Sequence, residues 1–236
     1  CYRVLKPGGH IIAFSSTRTV FALGMACQKG GFELRDQIFW CYFSGFPKSH
    51  NLGDIGDQWP GFGTALKPAV EPALLARKPL EKGLTIAQNV LKHGTGALNI
   101  DGCRFGYGDP CWVGPKGIDT RRPNGVTAIW GENRPAGDGG GHLQGRWPAN
   151  LYQCAKASRS EREAGLSHLK AKTGADTVQR KEGSAGMDNP RAGAGRTADE
   201  VLNFHPTVKP LKLMRWCCRL IGGQKGSVIL DPFGGS

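Results

Sequence analysis

Two short stretches near the C-terminal end hold the residues best suited to chemistry: His205-Pro206-Thr207-Val208-Lys209-Pro210 and Asp231-Pro232-Phe233-Gly234-Gly235-Ser236. The second follows Val228-Ile229-Leu230, an apolar run that reads as a short buried strand. A strand that ends in Asp and opens into a glycine turn is how an open α/β sheet presents a nucleotide-like cofactor. Glycines there let the backbone approach a ligand more closely than side chains would allow. On its own, the Asp231 turn is equally an ordinary strand-to-helix connection. Thr207 is placed to cap a helix over Val208 to Ile221, with Pro210 in its first turn. Leu213, Trp216, Cys217 and Leu220 make the inward stripe of that helix. A helix N-terminus beside Lys209 suits a carboxylate, and a plain capping segment would have the same sequence.

The elements that must position these groups alternate in type. His10 to Ser15 reads as a buried strand after a Pro-Gly-Gly turn, and Thr19 to Lys29 as a helix with Val20, Leu23 and Cys27 on one face. Phe32 to Phe43 is apolar on both faces, the mark of a central strand. Glu71 to Arg77 reads as a further strand. This grammar predicts an α/β fold: one mixed or mostly parallel sheet built from 1–92 and 205–236, with Val228 to Leu230 at its centre. From Gly94 the texture changes. Gly, Pro, Asp, Asn and Arg dominate, and 93–204 reads as a loop-rich insertion.

A chain of 236 residues suffices for one α/β core plus such an insertion. Its 31 Lys and Arg against 19 Asp and Glu give a net charge of +12, which favours a polyanionic partner. The excess is spread: 11 basic and 6 acidic residues in 1–92, 15 and 12 in 93–200, 5 and 1 in 201–236. Charge therefore supports nucleic-acid binding without locating it. The eight cysteines form no Cys-x-x-Cys pair, which argues against a zinc site or a disulfide framework and for reduced thiols in a cytoplasmic protein. No apolar run approaches the length of a membrane span. The chain opens at Cys1 and stops inside the glycine turn, so the expectation is the middle of a longer protein.

The pairing of the Asp231 turn with the upstream His-Pro-Thr-Val-Lys-Pro resembles the amino-methylating DNA methyltransferases in their permuted (beta-class) order. Further blocks look like the same family and occur in its order: Arg3 to Arg18, Phe32 to His50, Thr64 to Pro79, Gly94 to Arg104, Arg146 to Asn150 and Cys154 to Arg162. The resemblance implies a Rossmann-like sheet that binds S-adenosyl-L-methionine, with a target-recognition insertion. Residues 1–92 would be part of the catalytic half, 93–204 the insertion and 205–236 part of the cofactor half. The implied reaction is methyl transfer to the exocyclic amine of a base in double-stranded DNA, adenine N6 favoured over cytosine N4. The resemblance leaves room for a restriction endonuclease partner and leaves the oligomeric state open.

By that resemblance Thr207, Lys209, Asp231, Pro232, Phe233, Gly234, Gly235 and Ser236 would hold the cofactor, with His205 and Pro206 beside them. Arg104, Arg121, Arg122, Arg146, Arg159, Arg191 and Arg196 are candidates to grip phosphates or read guanine, and each is equally a solvated surface charge. Phe46, just after the central strand, would line the base pocket or merely pack. One element of the family is missing. Its catalytic signature, Asp/Asn/Ser-Pro-Pro-Tyr/Phe/Trp, occurs nowhere in the 236 residues, and its expected position is upstream of Cys1. Two alternatives stay open: a methyltransferase acting on RNA, and a non-catalytic nucleic-acid-binding protein on the same fold.

Overall fold

The structure is a computed structural model, and it describes residues 1–45, 49, 52, 58–106, 109–111, 146–172, 200–203, 207–222 and 226–234. Among them run β1 (His10–Phe14), α1 (Val20–Lys29), β2 (Glu33–Cys41), β3 (Val70–Arg77), α2 (Ile86–His93), β4 (Leu151–Gln153), α3 (Arg159–Glu163) and α4 (Leu211–Ile221). The strands form one mixed sheet in the order β1-β3-β2-β4. β3 lies antiparallel to both β1 and β2, and β4 lies parallel to β2. Phe14 pairs with Ala73, and Cys41 with Val70 and Gln153. The carboxyl ends of β1, β2 and β4 therefore share one edge of the sheet.

The chain divides into two compact units, 1–155 with 215–229, and 156–214 with 230–236. These divisions do not follow the boundaries at 92/93 and 204/205 read from sequence, and β4, from the 93–204 stretch, belongs to the sheet.

β2 is interior, as its two-sided apolar pattern requires. Ile38 and Trp40 are buried there, and β3 contributes buried Ala73, Leu74, Leu75 and Ala76. A buried indole needs an acceptor for its N–H. Trp40 donates to the carbonyl of Cys154 at 3.0 Å, which fastens the end of β4 to β2. Trp216 of α4 donates to the Cys103 carbonyl at 3.2 Å, while the Cys103 thiol donates back to the Trp216 carbonyl at 3.7 Å. Its ring stacks on Phe105 at 6.2 Å and meets Tyr152 at 5.0 Å.

Two expectations are corrected. Val228-Ile229-Leu230 is not the central strand: among the described residues it pairs with no strand, and Val228 is 95% exposed. The interior places are filled, because β3 and β4 flank β2 while β1 and β2 flank β3. The last helix starts at Leu211, three residues later than Val208. Pro210 disfavours the α region at Lys209, and that outweighs the capping signal of Thr207. The stripe of Leu213, Trp216, Cys217 and Leu220 is buried as expected.

α2 begins with a capping box in which the Thr85 hydroxyl accepts from Gln88 N–H at 3.3 Å and the Gln88 side chain accepts from Thr85 N–H at 2.9 Å. From it Asn89, wholly buried, ties three segments together. Its amide donates to the carbonyls of Pro7 at 3.0 Å and Thr95 at 2.7 Å, and its oxygen accepts from Glu81 N–H at 3.0 Å. Gly8, at φ +78°, sits so close that an added Cβ would lie 2.6 Å from this amide.

Asn89→Ala should cost about 3 kcal/mol, because it strands the Thr95 carbonyl and the Glu81 N–H away from water and leaves the Pro7 carbonyl with the Thr95 hydroxyl alone. A urea titration of both proteins reads the loss, and an unchanged midpoint would refute the role given to Asn89. His10 supplies a second test. Burial, then Arg77 and Arg35, lower its pKa from 6.5 to about 4, so it is neutral when folded at pH values where the unfolded chain binds a proton. Stability should therefore fall as pH drops from about 6.5 toward 4. Glu81 and Glu161 have lowered pKa values, so their contributions are lost as pH falls through and below the carboxylate range. His10→Gln should flatten the upper part of the pH–stability curve and leave the lower part in place.

Candidate functional site

The second unit holds the described candidate cofactor residues. Its local order begins with Ser158, whose hydroxyl accepts from Glu161 N–H at 3.1 Å while the Glu161 carboxylate accepts from Ser158 N–H at 2.9 Å. The same carboxylate also accepts from Leu211 N–H at 3.2 Å. One side chain thus serves the N-termini of both α3 and α4, and hydrogen bonds to the charged form lower its pKa. Glu163 likewise accepts from Leu202 N–H at 3.2 Å, and Asn203 donates to the Arg162 carbonyl at 3.1 Å.

Before α4, Lys209 donates to the Thr207 carbonyl at 3.1 Å, so these two candidates are brought together. Asp231 accepts from Phe233 N–H at 3.0 Å, which makes Asp231 to Phe233 a tight Asx turn. The turn is exposed throughout, and the Phe233 ring is 91% exposed. At Gly234 an added Cβ would only reach ordinary contact with Asp231, at 3.7 Å and beyond. Gly235, Ser236, His205 and Pro206 lie outside the described residues.

The candidate DNA-binding arginines divide in the same way. Arg121, Arg122, Arg191 and Arg196 lie outside the described residues, as does Phe46. The other three have work within the chain. Arg104 pairs with Asp101 at 2.7 Å and lies over the Trp147 ring at 5.3 Å, with its side chain only 9% exposed. Arg146 forms an antiparallel bridge with Phe105 through its backbone, a contact that does not involve its guanidinium. Arg159 pairs with Glu163 at 3.2 Å and donates to the Glu200 carbonyl. What faces outward beside Arg104 is Trp147, two-thirds exposed.

Other chemistry is limited by burial. All eight cysteines are free thiols. Desolvation pushes Cys217 up to about 12 and raises Cys27, Cys41 and Cys103 as well, so these thiols stay protonated and are poor nucleophiles. Among the described residues no group of three or more His, Cys, Asp or Glu side chains is arranged to hold a metal ion. No helix among them is long and apolar enough to cross a membrane.

Sequence reading passed over one group of surface residues. Trp59 and Phe62 form an edge-to-face pair with ring centroids 5.2 Å apart, and both are more than half exposed. Phe43, also exposed, has φ +56°, a conformation rare for a residue with a side chain. The signal was the Trp-Pro-Gly-Phe run between two strands, a turn whose aromatic residues have no periodic partner.

Known proteins give these features a context. A Type II methyltransferase, M.HindIII of Haemophilus influenzae, is 31% identical over an alignment of 108 residues that covers 42% of this chain and 35% of the relative. The chain thus spans about a third of the length of the curated relative it matches. A crystal structure of M1.HpyAVI superposes on 33% of this chain and 35% of its own at 22% identity, with a TM-score of 0.24, too slight to bear on architecture. The family model described as DNA methylase matches residues 1–236. On that match, which runs the whole length of the sequence, the chain belongs to the N6/N4 DNA methylase family.

Proposed function

We propose that the protein transfers a methyl group from S-adenosylmethionine to the exocyclic amine of a DNA base, adenine N6 favoured over cytosine N4. The observation that carries this reading is the family match along residues 1–236. The similarity to a Type II methyltransferase is in keeping with it, and by the same analogy a restriction endonuclease is a candidate partner.

The residues fit the cofactor in their chemistry. The exposed Asp231 carboxylate is suited to accept hydrogen bonds from hydroxyl or ammonium groups, and the open Phe233 ring offers a face to an adenine. Lys209, tied to Thr207, is suited to the ligand's carboxylate. Bound, S-adenosylmethionine supplies an activated methyl group on a sulfonium. Asp231 to Ser236 together with Thr207 and Lys209 hold that group in a protein of Rossmann-like fold. Residues 93–204 recognise the target, with arginines contacting phosphates and guanine edges.

The acceptor amine is a poor nucleophile, because its lone pair is delocalised into the ring, and it is inaccessible within a stacked duplex. The base must leave the stack. The protein's share of the rate is then mostly alignment, with little proton transfer asked of its side chains.

In the intact protein, Asp231→Ala should abolish S-adenosylmethionine binding in a calorimetric titration. Lys209→Ala should weaken it only about fivefold, the effect of losing an exposed ion pair worth about 1 kcal/mol. Undiminished binding by Asp231→Ala would move the cofactor site elsewhere. Replacing Arg121 and Arg122 together by Ala should weaken DNA binding and spare cofactor affinity. A fall in cofactor affinity instead would count against placing target recognition in 93–204.

A further inference from the structure

The connection from β2 to β3 is closed tightly at its base. Tyr42 and Phe43 N–H both donate to the Ala69 carbonyl, at 3.0 and 3.3 Å. Gly45 packs so closely on the next residue back that an added Cβ would stand 1.6 Å from the Pro68 carbonyl oxygen. Further out, the Ser49 hydroxyl accepts from Thr64 and Ala65 N–H at 2.9 and 3.2 Å. Phe62 N–H donates to the Trp59 carbonyl at 3.3 Å, and the Phe62 carbonyl accepts from Leu52 N–H at 2.9 Å. Trp59 and Phe62 are thus held on an ordered turn, yet 54% and 56% of their surfaces stay in water.

Two large rings exposed on a fixed turn are costly unless something covers them. The connection leaves β2 at the edge shared by the carboxyl ends of β1, β2 and β4, where ligands of open α/β sheets gather. The chain carries +12, which draws a polyanion to it. The chemistry proposed above requires a base out of its stack, and an unstacked base has a bare π-face that an aromatic side chain can cover in any sequence.

We infer that Trp59 and Phe62 form a stacking platform for an unstacked DNA base, on the connection that leaves the carboxyl end of β2. This rests on the methyltransferase reading. The platform is a positioning device: it touches DNA and takes no part in bond making.

The test uses the intact protein and two fluorescein-labelled strands of about 20 nucleotides, long enough to fill a single-strand site. One is oligothymidylate, and the other has the same phosphates with abasic sugars. Wild type should prefer the strand that carries bases. Trp59→Ala and Phe62→Ala should each lose about 5- to 100-fold on oligothymidylate and nothing on the abasic strand, while Trp59→Phe keeps most of the preference. Calorimetric affinity for S-adenosylmethionine should not move. Variants that bind oligothymidylate as wild type does, or that lose equally on both strands, would overturn the platform. So would a change of oligomeric state without a change in DNA affinity, which would make the pair a protein interface. If wild type binds cofactor and DNA but the variants are silent, only the platform fails. If wild type binds neither, the methyltransferase reading fails with it.

Discussion

A buried indole must place its N–H on an acceptor, and in the first unit that requirement ties together parts of the chain far apart in sequence. Trp40 reaches the carbonyl of Cys154, and Trp216 reaches that of Cys103. Each bond joins residues more than a hundred positions apart. Neither indole could be buried without its distant partner in place, so the stretch from Cys103 to Cys154 is anchored at one end to α4 and at the other to the sheet. The aromatic contacts of Phe105, Tyr152 and Trp216 then fill the space between these anchors with rings rather than aliphatic groups.

What could be read from sequence was what local pattern decides. β2 announced its interior place because consecutive residues on both faces are apolar, and α4 announced its inward stripe through its spacing. The same logic misled at Val228 to Leu230. A β-branched run states a preference for extended structure, while its place in a sheet depends on which neighbours are free, and β3 and β4 already flank β2. β4 escaped for the opposite reason. Three residues carry no pattern of their own, and Leu151 to Gln153 is a strand because Phe39 to Cys41 pairs with it. At α4 two local signals competed, and the backbone restriction imposed by Pro210 prevailed over the hydroxyl of Thr207. α2 was legible in principle, since Thr85 and Gln88 have the spacing of a capping box.

The candidate site shows a similar division. Arg104 and Arg159 were singled out for charge alone, yet each has an acid three or four residues away, Asp101 and Glu163, on which that charge is spent. Spacing within a turn would have suggested as much. For Trp59 and Phe62 the Trp-Pro-Gly-Phe turn was the one hint and Trp147 had none, because exposure of an aromatic residue is decided by what the rest of the fold leaves uncovered.

The contact of Gly45 with the Pro68 carbonyl separates two kinds of evolutionary freedom. Position 45 is closed to every residue with a side chain unless the backbone moves. The segment enclosed between 45 and 68 is under no such constraint on length. With its ends pinned, doubling the number of enclosed residues costs only about 0.6 kcal/mol in closure entropy. Such a segment can lengthen, shorten or change in sequence without disturbing the sheet beneath it, so the scaffold can take on new contacts by changing one enclosed loop.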